Sequence, residues 1–500
     1  MTSLLSIITP RFILMVFFGA TAGLLVGALP GLSVSMATAL LVSITYGWNV
    51  TDAFACIMGV YMVGVYSGAV SAILIRIPGA PSSIATTLDG YPLSQKGRAY
   101  EALMLATVYS FIGGMVGMIT LAVSAKPIAK LALSFQQIDY FLLALLGMTC
   151  VVSLSGKNLL RGLTSAIIGI LLSLVGTDSM NGLLKFTFGI FELGGGVPVV
   201  PAIIGLFGFA EILDQIKTKN YAPIAGDFIR QKCRPLKYFK KNPLLVIRSA
   251  IIGTLIGVLP GAGGPIAALI SYDTAKRSIK DPEVPFGEGA PEGIIASETA
   301  NNAVVGGALI PLLTLAIPGD SVTAIMLAVF YLHGMNPGPL LMTRQPEIFS
   351  TIVIAGIIAT FAVLLLGILC APLLAKVIRV KKSRLMAVVA LLCFIGAFAT
   401  ASDMFHVWIM LVVGVLALIL KAFDYPIAPV VLGMVLGPLM DTSLRRAVSV
   451  ALVKDNMFIA LFHRPLTIIL LIAIVAMILF SIPAVKELPK KLKARKEQSK

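Results

Sequence analysis

The sequence predicts an all-α polytopic membrane protein, with about 10–12 transmembrane or re-entrant helices in two internally repeated halves that carry broken-helix hairpins. Three observations point there. Of 500 residues, 58% are apolar and 12% charged, about half the charged share of an ordinary soluble domain, so the chain cannot cover itself with polar surface. Apolar runs at 12–29, 53–75, 103–123, 138–154, 351–369 and 466–482 approach or exceed the roughly 20 residues that cross a hydrocarbon core. The remaining charge is gathered into a few short loops.

The net charge of +16, from 39 basic and 23 acidic residues, does not mark a nucleic-acid binder, because the basic residues line no single face. Lys217, Lys219, Arg230, Lys232, Arg234, Lys237, Lys240 and Lys241 fill the segment 214–243. A second group is Lys376, Arg379, Lys381, Lys382 and Arg384, and a third is the tail from Lys486 to Lys500. The positive-inside rule places all three in the cytoplasm. Cysteines 56, 150, 233, 370 and 393 lack metal-type spacing and read as small core residues. The N-terminus has no charged n-region with a small-residue cleavage site, so the first span is expected to stay as the insertion signal.

Internal similarity sets the organisation. Gly27-Ala-Leu-Pro-Gly-Leu-Ser33 returns as Gly257-Val-Leu-Pro-Gly-Ala-Gly263. Ile77-Pro78-Gly79, followed by Ser82-Ser83, returns as Ile317-Pro318-Gly319, followed by Ser321. Pro198, Pro201 and Gly205 share their spacing with Pro426, Pro429 and Gly433. Colinear matches imply duplication: a first repeat at 1–213, a basic linker at 214–243, a second repeat at 244–455, a terminal helix at 456–485 and a basic tail at 486–500. Whether the repeats are inverted depends on the parity of spans before the linker, which the nearly uncharged N-terminus leaves open.

A Pro-Gly pair removes a backbone donor and permits positive φ, which breaks a helix. In lipid such a break is tolerated only where it is buried in protein or lines a cavity, and paired breaks point to a transporter's binding site. The alternative is a structural kink.

Polar residues near the breaks supply the candidate chemistry. Glu298, Asn301 and Asn302 begin an apolar segment and share a helical face. They suit either a monovalent cation or interfacial capping. Asp320 follows Pro318-Gly319 and is placed either to cap the next helix or to bind a cation. The first-half turn carries no charge, and Ser82, Ser83, Thr86 and Thr87 favour an anion at a helix start. Arg76 reads either as a carboxylate fork or as a snorkelling arginine. Asp89, Lys96, Arg98 and Glu101 read as a solvated hairpin. No Ser/His/Asp or Cys/His motif and no phosphate loop ending in Lys-Ser/Thr is present, so neither catalysis nor nucleotide hydrolysis is expected of this chain.

Together Gly27-Ala-Leu-Pro-Gly31, Ile77-Pro-Gly-Ala-Pro81, Asp89-Gly-Tyr-Pro92, Gly257-Val-Leu-Pro-Gly261, Ala290-Pro-Glu-Gly293, Asn301-Asn302 and Ile317-Pro-Gly319 resemble the large membrane subunit of tripartite tricarboxylate transporters, the TctA family, over about residues 15–440. The resemblance implies a bacterial inner-membrane permease that works with a small four-helix membrane subunit and a periplasmic solute-binding protein. It implies import of a tricarboxylate or other small carboxylate on a sodium or proton gradient, with no cofactor beyond a coupling sodium ion. Carried over, it puts substrate at Pro30, Gly31, Ser33, Pro78, Gly79, Ser82, Ser83, Pro260, Gly261, Gly263, Pro318, Gly319 and Ser321, and a cation at Glu298, Asn301, Asn302 and Asp320. Asp320 stands where a small or hydroxyl residue is expected for citrate. A membrane channel for small anionic solutes is the competing class.

Overall fold

The computed structural model describes residues 7–29, 32–45, 47–154, 159–178, 180–217, 233–261, 263–377, 382–452, 462 and 464–481. Pro30, Gly31, residues 218–232 of the linker, 456–461 and 482–485 of the terminal segment, and the tail 486–500 lie outside them.

Helices fill most of the chain. α1 (Pro10–Ala28), α2 (Val34–Thr45) and α3 (Val50–Ile75) precede a 3-10 turn at Pro81–Ser83 and α4 (Ile84–Leu93). A π-helical turn at Ser94–Arg98, with Gly97 at φ 78°, joins α4 to α5 (Ala99–Ala132). Then come α6 (Gln137–Leu154), α7 (Leu159–Ser173), a small antiparallel pair β1 (Gly176–Thr177) and β2 (Leu184–Lys185), α8 (Val199–Ile203) and α9 (Ala210–Lys217). Beyond the linker run α10 (Leu236–Lys241), α11 (Pro243–Val258), α12 (Gly263–Ser278), α13 (Pro291–Leu315), α14 (Ser321–Leu332), α15 (Leu341–Arg344) and α16 (Pro346–Val377). The last elements are α17 (Lys382–Ala399), α18 (Met404–Ala422), α19 (Ala428–Ala451) and α20 (Pro465–Ser481). Among the described residues, five helical segments are long and apolar enough to cross a membrane, and six shorter helices are apolar. The protein is an all-α polytopic membrane protein.

The matched motifs have matched backbones. α1 and α11 both start with proline at the first turn under a polar cap: Thr9 Oγ1 accepts from Phe12 N at 3.1 Å, and Asn242 Oδ1 from Leu245 N at 3.1 Å. Both end on an extended leucine whose N–H turns back, Leu29 to Val26 O and Leu259 to Ile256 O. α3 and α13 both end on a left-handed residue, Arg76 and Ala316, each at φ 59°.

The residues fall into two compact units, Met1–Ala132 with Pro198–Leu418, and Leu133–Val197 with Ile419–Lys500. Inside the first, helices meet through glycine. A Cβ on Gly23 would lie 2.6 Å from Val60 O and one on Gly27 2.5 Å from Gly64 O, so α1 lies against α3 with no room for side chains between. α11 lies against α13 in the same way, at Gly253 with Ala300 O (2.2 Å) and Gly257 with Val304 O (2.5 Å). α5 then packs on α13, where a Cβ on Gly113 would stand 2.1 Å from Thr299 O. Its counterpart α16 packs on α3 and α5, with Gly356 against Met118 and Met58 and Gly367 against Thr107 and Tyr66. Lipid tails supply little hydrophobic drive for helix association, so such close approach is the main adhesive. Gly117, which the sequence places in an unbroken span, takes part too, 2.6 Å from Ala303 O.

The second unit is held by glycine contact and buried charge. Gly169 of α7 meets Val430 O, and Gly433 of α19 meets Ala166 O. Asp139 of α6 is fully buried, pairs with Arg464 at 2.6 Å and accepts from Thr467 Oγ1 at 2.6 Å, which fastens α20. Asp178 pairs with Lys185 and with Arg445 (2.7 Å), tying the β-hairpin to α19. Lys185 first, with the Met180 backbone N–H and Arg445, holds the Asp178 carboxyl well below the usual carboxylate range.

Gly113→Ala is expected to force α5 and α13 apart and cost about 1–3 kcal/mol, lowering the thermal unfolding midpoint in detergent. Gly47→Ala, where nothing lies within 4 Å, should leave the midpoint unchanged.

Candidate functional site

Helix starts are brought together around the breaks. Ser33 Oγ accepts from Met36 N at 3.0 Å and begins α2. Asp320 begins α14 through a reciprocal capping box: its Oδ1 accepts from Thr323 N at 2.8 Å, and its N–H donates to Thr323 Oγ1 at 2.8 Å. The start of α2 meets the start of α14, where Ser35 Oγ and Ser321 Oγ are 2.6 Å apart. Tyr61 of α3 donates to Asp320 Oδ2 at 2.5 Å.

A second meeting joins the first-half break to α12. A Cβ on Gly264 would fall 2.8 Å from Ser82 Cβ and 2.5 Å from Asn301 Oδ1, so the start of α12, Ser82 and Asn301 converge. Asn301 precedes left-handed Ala316 by the same interval as Tyr61 precedes left-handed Arg76. In both meetings, then, a helix start of one half faces the break of the other, beside a polar residue from the same level of α3 or α13.

The breaks themselves are walled by backbone. A Cβ on Gly79 would stand 2.1 Å from Gly27 O and 3.0 Å from Gly68 Cα; one on Gly319 would stand 2.8 Å from Gly257 O and 2.5 Å from Ala308 Cα. Gly79 N donates to Gly68 O (3.2 Å), and Gly261 N to Gly319 O (2.7 Å), so backbone groups freed by proline are partly satisfied across helices. Gly261 and Gly263 adopt positive φ, 76° and 58°, as the turn into α12 requires.

Of the substrate candidates, Ser82 meets Gly264, Ser321 meets Ser35, and Gly263 lies 3.7 Å from Asp320 Cβ (by the Cβ it lacks). Ser83 is buried, its hydroxyl without a partner among the described residues. Pro78, Pro260 and Gly261 are half-buried, and Pro318 and Gly319 are buried. The capping reading of Glu298, Asn301 and Asn302 is overturned, because α13 begins at Pro291 and all three are buried inside it. Glu298 bonds to Thr86 of α4 and accepts from Ser110 of α5 at 3.0 Å. Asn302 Nδ2 donates to Ser110 Oγ at 2.7 Å, while Asn301 Oδ1 and Asn302 Oδ1 have no partner among the described residues.

The solvated-hairpin reading also needs correction. Asp89 lies within α4, before the kink at Gly97, and is buried, its Oδ1 accepting from the N–H groups of Gly287, Gly289 and Ala290 at 2.8, 2.9 and 2.8 Å. Arg98 bonds Glu101 and Glu283, each at 2.8 Å, and Tyr238 donates to Glu283 at 2.8 Å. Burial pushes the Glu283 carboxyl up, but Arg98, Tyr238 and Lys237 outweigh it and hold it below its usual value. Arg76 forms no ion pair among the described residues and lies over the Tyr91 ring at 5.7 Å.

Asp89→Ala leaves three N–H groups without their acceptor and is expected to destabilise the lead into α13 by about 2–3 kcal/mol. Faster hydrogen exchange at 287–290 is the measurement that checks it.

Comparison with known proteins gives a consistent picture. The model of the tripartite tricarboxylate transporter TctA family matches residues 13–432. An uncharacterized 52.8 kDa protein of the TAR-I ttuC' 3' region of Agrobacterium vitis is 36% identical over 444 residues, 89% of this chain and 88% of its own length. An uncharacterized protein of the TAR-II ttuC' 3' region of the same organism is 34% identical over 235 residues, 47% of this chain and 96% of its own length. No solved structure matches the chain.

Proposed function

The chain belongs to the tripartite tricarboxylate transporter TctA family, and from that premise we propose that it is the permease that imports a small carboxylate on a sodium or proton gradient. Membership makes it a membrane transporter subunit that associates with other subunits. The finer reading is a bacterial inner-membrane permease with a small four-helix subunit and a periplasmic solute-binding protein, its linker 214–243 and tail cytoplasmic.

One observation carries the substrate class: the contact of Ser35 with Ser321, where the starts of α2 and α14 meet. Each helix start presents N–H groups with no intrahelical acceptor and the positive end of its dipole. Converging starts favour an anion without a basic side chain. Asp320 offsets part of the α14 dipole, with Thr323 and Tyr61 engaging its two oxygens, so the start of α2 supplies most of the attraction for an anion. The first unit, which holds every described site residue, is the part proposed to carry substrate by alternating access.

Gly79→Val would not test this cleanly, since its side chain would meet Gly27 O whatever the site does. Hydroxyl removal is milder. In proteoliposomes containing the chain, its small partner subunit and the binding protein, Ser35→Ala and Ser321→Ala should each weaken saturable uptake of labelled carboxylates about fivefold to tenfold, or about 1–1.4 kcal/mol. Omitting the binding protein should abolish uptake. Unchanged uptake by both serine variants would move the site elsewhere, and full uptake without the binding protein would refute the tripartite reading.

A further inference from the structure

We infer that Glu298 carries the coupling proton: it is a lone carboxyl enclosed by α13, α4 and α5, and the hydroxyls of Thr86 and Ser110 with the Asn301 side chain hold it, with no basic group beside it among the described residues. This rests on the transport reading above and names its ion. Glu298 is 0% exposed, and no ion pair among the described residues includes it. An ionised carboxylate that is dry and unpaired is strongly disfavoured, so in this enclosed state the group must hold a positive partner.

The other titratable or charged groups on the surrounding helices are committed elsewhere or form no ion pair. Asp89 of α4 accepts the N–H groups of the 287–290 loop. Glu101 of α5 pairs with Arg98, Tyr109 of α5 donates to Pro235 O, and Tyr66 of α3 is bonded to Thr107 at 2.8 Å. Tyr272 of α12 and Glu292 of α13 lie toward the helix start, with Asp89 and Glu283 N. Arg248 of α11 and Cys370 of α16 form no ion pair among the described residues.

The hydrogen bonds of the Glu298 carboxyl itself are complete when it carries a proton. Here Asn302 presents its NH2 group, which donates to Ser110 Oγ, and Ser110 in turn donates to Glu298 Oε2. A proton on Oε1 completes the other side. Glu298 then donates to Thr86 Oγ1, Thr86 to Ser297 Oγ (3.2 Å), and Ser297 to Gly293 O (2.9 Å), so each of these donors has its own acceptor. When the proton leaves, Thr86 turns its hydroxyl round to donate to the carboxylate. The step is COOH to COO⁻ plus H⁺, and no other bond changes.

Thr86 stands just after the first-half break, on the helix that follows Ser82 and Ser83. The protonation state is thereby reported to the hairpin that carries substrate. In the first half the position equivalent to Glu298 is Met58, also fully buried, so this device is present once.

Two readouts test the inference on the complete complex in lipid. By infrared difference spectroscopy the wild-type complex at neutral pH should show a protonated carboxylic-acid band that shifts in D2O and is missing from Glu298→Gln. In sodium-free proteoliposomes, with labelled citrate, succinate and malate as probes, Glu298→Gln should lose proton-driven accumulation about tenfold or more. An identical carboxylic-acid band in wild type and variant overturns the inference, as does accumulation by the wild type on a sodium gradient alone. Failure of the wild type to take up or exchange any carboxylate would instead overturn the transport reading, and the carboxylic-acid band then decides the protonation of Glu298 by itself.

Discussion

Backbone pressed against backbone is what the first unit depends on. Each Pro-Gly break leaves peptide groups that lipid cannot solvate, so the break must be enclosed by protein. Enclosure is achieved where Gly27 O closes on Gly79 and Gly257 O closes on Gly319, contacts that glycine alone permits. The same closeness, at Gly23 with Val60 and Gly253 with Ala300, aligns α1 with α3 and α11 with α13. It fixes the level at which the breaks fall, and hence where the helix starts can meet.

The halves do not each build a site. The start of α2 faces the break before α14, and the start of α12 faces the break before α4. Polar groups from the matching level of the long helices, Tyr61 and Asn301, complete the two meetings. Where the halves differ, chemistry enters: Asp320 and Glu298 have uncharged counterparts in the first half, Ala80 and Met58.

The helical class, the breaks and the paired motifs were legible because Pro-Gly inside an apolar run has few physical explanations in a membrane. Asp320 as a cap was legible for the same reason, since a carboxylate directly after a helix break has N–H groups waiting for it. Tyr61 was not legible. Within the run 53–75 a tyrosine looks like any other large core residue, and only the fold brings its hydroxyl to Asp320. Thr86 and Ser110 were equally silent as partners of Glu298, being far from it in sequence. Asp89 was misread because it lies within α4, before the kink at Gly97, where only the fold brings the N–H groups of 287–290 onto its carboxylate.

If substrate binds where the starts of α2 and α14 meet, as proposed, the two must stay free of a covalent link for transport to proceed. Ser35→Cys combined with Ser321→Cys, in a background with the native cysteines replaced, tests it directly. The disulfide is expected to form readily, to arrest carboxylate uptake, and to release it again on reduction. A disulfide that forms in full while uptake continues at the uncrosslinked rate would contradict it.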